Sequence, residues 1–320
     1  MPRALIVHLT GESATPRPTM SIWPFSLGFS LLLTVLVAPL YPVDAQDLEL
    51  TARFDVATFC CPCTLSDHFC EPQFDVLNRP GSPGHYLAMG TDWRRSEVEA
   101  SGNRLAFYYN SLNTGWTQMT GKEKAGQIWN VASANFLGGV PQYFILNEIS
   151  AGLWPNNALY RVWVREVVLS LKESYDVDPI LASPFSTPGQ HDADWQAVAA
   201  FAYIAAEVYL SGLEIMNAEF SVAWCEQQYA AAKRAYLARG VPESRLMLIE
   251  HFGQTTDVAG WGRAGVSADD WETALIVRSL AAANVGFAGY VSYAWGKNAM
   301  GVSDEELIRF EDVYGAQLLP

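Results

Sequence analysis

Positive charge is scarce in this chain. Its 320 residues hold 20 Lys and Arg against 34 Asp and Glu, a formal net charge of −14 at pH 7. No basic run offsets that balance, so a polyanion such as nucleic acid would be repelled overall. Charged residues of both signs make up only 17% of the chain, while 50% is hydrophobic. That ratio excludes a disordered chain or a coiled coil and suits one large globular domain. No Gly-rich phosphate loop follows the first strand-like segment, where a dinucleotide-binding fold would carry one. No Gly-x-Ser-x-Gly elbow is present, which argues against a serine hydrolase of the α/β type. No His-x-His closes the first strand, so a metal-dependent barrel hydrolase lacks its usual ligands. No repeat or low-complexity linker divides the chain. No cofactor, no metal and no stable protein partner is expected.

The first 45 residues do not read as part of a fold. Phe25 to Ala38 is a mostly apolar run closed by Pro39, with Arg3 and Arg17 upstream. Val43-Asp44-Ala45 then offers small residues at the two positions a signal peptidase inspects. The run is shorter than the roughly 20 apolar residues a membrane span needs. A cleaved signal and a secreted protein are expected, with a retained anchor as the alternative and Met20 as a candidate start. Of the five cysteines, four crowd together at Cys60, Cys61, Cys63 and Cys70, and Cys225 lies far downstream. In an exported chain, disulfides are the leading reading, with one thiol left over. The alternative is a metal site on Cys60-x-x-Cys63 with His68 and Cys70.

From residue 48 onward, short apolar runs alternate with longer segments, several of them with helical periodicity. Strands are expected at 48–59, 85–90, 104–109, 142–147, 179–182, 213–217, 246–249 and 289–294. Helices are expected at 121–137, 159–174, 194–210, 221–239, 267–284 and 304–314. Eight strands with intervening connections predict an α/β fold, a (β/α)8 TIM barrel spanning residues 46–320. An open doubly wound sheet is the runner-up.

Two of these strands end in glutamate. Pro141-Gln-Tyr-Phe-Ile-Leu-Asn147-Glu148 is apolar until its polar tip, and so is Leu246-Met-Leu-Ile-Glu250-His251. Barrel chemistry sits at the C-terminal tips of the strands. Two carboxyl groups about 5–5.5 Å apart can cleave a glycosidic bond with retention. Eleven Trp and fourteen Tyr offer rings for stacking on sugars, though most such rings fill cores.

Asn147-Glu148, then Ile249-Glu250-His251-Phe-Gly, then Tyr293-Ala-Trp295-Gly resembles a known pattern. It is similar to the large retaining glycoside hydrolase clan built on the TIM barrel, clan A, whose members are cellulase- and mannanase-like. The resemblance implies that Glu148 is the acid/base and Glu250 the nucleophile. It also implies that Asn147 binds a sugar 2-hydroxyl and that Trp295 floors the subsite at the cleaved bond. Tyr293 and His251 join them as substrate-binding residues, and the implied partner is an oligo- or polysaccharide. A non-catalytic carbohydrate-binding barrel is the alternative. The resemblance stops at the clan, because Arg53 sits mid-strand, the tip at 217–219 reads Asn-Ala-Glu, and Glu148 is followed by Ile rather than Pro.

Overall fold

The computed structural model describes residues 54–59, 78, 85–185, 188–251, 266–293, 303, 305–306, 308–310 and 312–313. Eight parallel strands close into a barrel in chain order, which is the TIM-barrel architecture. They are β1 (Phe54–Phe59), β2 (His85–Met89), β3 (Arg104–Tyr109) and β4 (Tyr143–Leu146). The second half comprises β5 (Asp178–Ser183), β6 (Tyr203–Glu207), β7 (Leu246–His251) and β8 (Gly289–Tyr293). Between them run α1 (Arg95–Ala100), α2 (Gly121–Asn135), α3 (Leu153–Asn156) and α4 (Ala158–Tyr175). α5 (Asp192–Ala199), α6 (Gly212–Asn217), α7 (Val222–Leu237) and α8 (Ala268–Val285) complete the described helices. All of these elements fall within one unit, Asp47–Pro320.

A strand covered on both faces is apolar throughout, and that is why these segments read as unbroken hydrophobic runs. The two faces nonetheless go to different places, because side chains alternate along a strand. Tyr143 and Ile145 of β4, Tyr203 and Ala205 of β6, and Met247 and Ile249 of β7 fill the barrel interior. Phe144 and Leu146, Ile204 and Ala206, and Leu246 and Leu248 pack outward beneath the helices. This alternation sorts the residues within each strand between the interior and the helix layer; Glu148 lies two residues beyond the end of β4.

Aromatic rings plug the N-terminal end of the barrel. Tyr86 meets Tyr143 edge-on at 5.1 Å, and Tyr143 lies 6.4 Å from Tyr203. The Arg104 guanidinium donates to the Tyr86 hydroxyl at 3.0 Å, and Arg245 sits 5.0 Å over the Tyr203 ring. Several helix starts carry side-chain caps. Thr120 and Glu123 form a capping box on α2, while Asn157, Ser221 and Ser267 cap α4, α7 and α8. Each such cap contributes about 1 kcal/mol.

The structure moves one expected strand. The segment 194–210 was expected to be a single helix, but it divides into α5 and β6. The expected strand 213–217 is instead helix α6. Alanine-rich sequence around 197–206 favours helix by propensity, yet Tyr203 and Ala205 face the interior while Ile204 and Ala206 face out. The start of α6 carries a capping box of Ser211 and Glu214. Described positions between 305 and 313 are helical, in line with the closing helix. The leader 1–45 and the cluster Cys60, Cys61, Cys63, His68 and Cys70 lie outside the described residues. Among the described residues, no helix is long and apolar enough to cross a membrane.

Truncating the central ring of the plug tests this packing. Tyr143→Ala should lower the unfolding free energy by about 3–5 kcal/mol, the usual cost of deleting a buried aromatic, as read by urea denaturation.

Candidate active site

The β4 exit keeps its ladder bonds past the last strand residue. Asn147 N–H donates to the Tyr109 carbonyl at 2.9 Å, and Ile149 N–H to the Ala182 carbonyl at 3.0 Å. Asn147 shares the inward parity of Tyr143 and Ile145 and is half-buried at the mouth. Glu148 follows it and is solvent-exposed as a residue. Even so, enclosure by the surrounding mouth raises its carboxyl above the ordinary range.

Glu207 is the last residue of β6 and shares the inward parity of Tyr203 and Ala205. Burial first, and then the Glu148 charge, push its carboxyl up to about 8, while a hydrogen bond from Tyr209 opposes them. Two carboxyls from different strands are thus electrostatically coupled at one mouth. β6 is held to β7 here, with Val208 N–H donating to the Ile249 carbonyl at 3.1 Å. Tyr209 packs against the barrel interior and meets the His251 ring edge-on at 5.4 Å. His251 has the inward parity of Met247 and Ile249 and is buried. Tyr293 ends β8 in register with His251. Trp295 lies outside the described residues.

Glu250 is not part of this mouth. It shares the outward parity of Leu246 and Leu248, so its side chain enters the layer between barrel and helices. There the Tyr229 hydroxyl of α7 donates to its carboxylate, and Arg278 of α8 pairs with it at 3.4 Å. Both partners of the ion pair are buried, 0% and 1% exposed. The expected meeting of Glu148 and Glu250 is therefore corrected: the carboxyl coupled to Glu148 belongs to Glu207. Sequence reading missed Glu207 because it placed that residue inside a helix. The available signal was the inward alternation Tyr203, Ala205, Glu207 with an acid at its end.

Arg278 ties this buried pair to the mouth. Its guanidinium donates to the Leu210 and His251 carbonyls, both at 3.1 Å, and lies 4.8 Å over the Trp271 ring. Cys225, a buried free thiol, lies close enough to feel the Glu250 charge. Burial, and then that charge, push its thiol up to about 12, which makes it an unreactive core residue.

No protein-family model matches this sequence, and neither does any curated protein. Solved structures of similar shape include a chitinase from Rhizomucor miehei, at 12% identity and a TM-score of 0.49 over 81% of this chain and 99% of that one. The spore cortex-lytic enzyme of Bacillus cereus aligns at 12% identity and a TM-score of 0.46 over 81% and 73% of the two chains. A deoxyribose-phosphate aldolase from Toxoplasma gondii aligns at 10% and 0.41 over 82% and 95%.

Removing one partner of the buried pair should be costly and removing both should be mild. Arg278→Met is expected to destabilise by about 3–5 kcal/mol, with most of the loss recovered when Glu250→Leu is added, in a denaturant-based double-mutant cycle.

Proposed function

We propose that the protein is a glycoside hydrolase acting on β-linked glycans through Glu207 and Glu148. The observation that carries this reading is the pair of coupled carboxyls on β4 and β6, one of them raised to about 8. Carboxyl groups whose environments push their proton affinities apart are suited to acid and base roles. The acid role passes from Glu148, its expected holder, to Glu207, which keeps its proton near neutral pH.

Glu207 gives that proton to the leaving glycosidic oxygen as the bond to the anomeric carbon breaks. Glu148, ionised, bonds to the same carbon and forms a glycosyl ester. The Glu207 carboxylate then takes a proton from water, whose oxygen attacks the anomeric carbon and frees Glu148. Asn147 holds a sugar hydroxyl beside the reacting centre, and His251 and Tyr209 wall the cleft. Tyr293, at the end of β8, and Trp295, which lies outside the described residues, keep the substrate-binding roles that the resemblance to clan A implies. Export fits such a substrate and is supported by the leader-like run at 25–38; N-terminal sequencing of protein from the medium tests it.

The pH profile follows from the signs. Activity should fall as pH rises through about 8, where Glu207 loses its proton. It should fall again at low pH, where Glu148 takes one up. Glu207→Gln and Glu148→Gln should each lower reducing-end release from a panel of β-linked glycans by about 10²–10⁴-fold while remaining folded. Near-normal turnover in either variant overturns the assignment. Wild-type protein that binds these glycans and releases no reducing ends is a carbohydrate-binding barrel instead.

A further inference from the structure

Among the described residues, no hydrogen bond reaches the Glu148 carboxylate, so its position is set by its backbone. That backbone is gripped from two side chains at once. The Asn113 amide donates to the Glu148 carbonyl at 2.9 Å. The Ser150 N–H donates to the Tyr160 hydroxyl at 2.8 Å, and the same hydroxyl donates to the Asn113 side-chain carbonyl. The three bonds and the backbone of residues 148–150 form a closed ring. We infer that Asn113 and Tyr160 are a clamp that sets where Glu148 stands relative to Glu207, a positioning role outside the reacting groups.

The clamp is itself fixed. Tyr160 is fully buried on α4, with the Trp116 ring against its edge at 5.7 Å. Burial pushes its hydroxyl up to about 12, so it remains a donor at working pH. The loop carrying Asn113 is held by the buried Lys124 of α2, whose ammonium donates to the Ser111 carbonyl at 2.8 Å and the Thr114 carbonyl at 3.0 Å. Those acceptors flank Asn113 on both sides. Among the described residues, the groups that bear on Glu207 are Glu148 from the β4 exit, Tyr209 from its own strand exit and Tyr236 from α7. Of these, only Glu148 is moved by the clamp.

The inference rests on Glu148 and Glu207 sharing a site, and its test needs no substrate. Carbon-13-labelled glutamate lets the Glu207 carboxyl be titrated by NMR, with Glu207→Gln identifying its signal. Glu148→Gln should lower the midpoint, because a neighbouring charge is lost. Tyr160→Phe and Asn113→Ala should each lower it by about half as much, as a released Glu148 swings away. Asn113→Ala lies on a surface loop and serves if Tyr160→Phe does not fold. A remote core change, Ile128→Val, should leave the titration unaltered even where it lowers stability. An unaltered Glu207 midpoint in both clamp variants overturns the clamp and leaves the paired site standing. An unaltered midpoint in Glu148→Gln overturns both.

Discussion

The mouth of this barrel depends on an ion pair buried beneath it. Glu250 and Arg278 meet in the helix layer, away from water, with Tyr229 as a third partner. A buried pair is a weak source of stability unless further hydrogen bonds satisfy its remaining donors and acceptors. Here those bonds run to backbone carbonyls at Leu210 and His251, where β6 and β7 end. The desolvated charge thereby becomes a brace. It fixes two neighbouring strand exits, one carrying Glu207 and Tyr209, the other His251.

Across the mouth, the same problem is solved with neutral groups. The β4 exit is held by an amide, a phenol and two ladder bonds, and the adjoining loop by a buried lysine. Burial lowers that lysine to about 8, and its ammonium donates to backbone carbonyls rather than to a countercharge. Both sides deliver a carboxyl to the rim with its backbone immobilised. Rigid support of this kind keeps side chains at a rim in fixed places. The Glu148 charge raises the Glu207 carboxyl, second only to burial.

Shape does not choose the reaction, because one barrel architecture hosts many unrelated chemistries. What this chain carries at its mouth is local: two acids at tips two strands apart, an asparagine beside one, and a tyrosine–histidine contact beside the other. The outward glutamate of β7 shows how little a strand-end acid says by itself. A shift of one residue along a strand exchanges the core face for the opposite one.

The sequence by itself determined seven of the eight strands and the alternation of apolar segments with connections, and that Asn147 and Glu148 end a strand. Those features are local, written in runs and periods. It left undetermined which way Glu250 points, because Leu246-Met247-Leu248-Ile249 is apolar at every position and carries no mark of inside or outside. It also left β6 unread, because alanine-rich sequence favours a helix by propensity and only tertiary packing overrides it. Only the closed barrel decides both, since inward and outward acquire meaning once strands pair with their neighbours and helices cover one face. The partners that place Glu250 and Glu207 come from α7, α8 and β4, and no local pattern joins them.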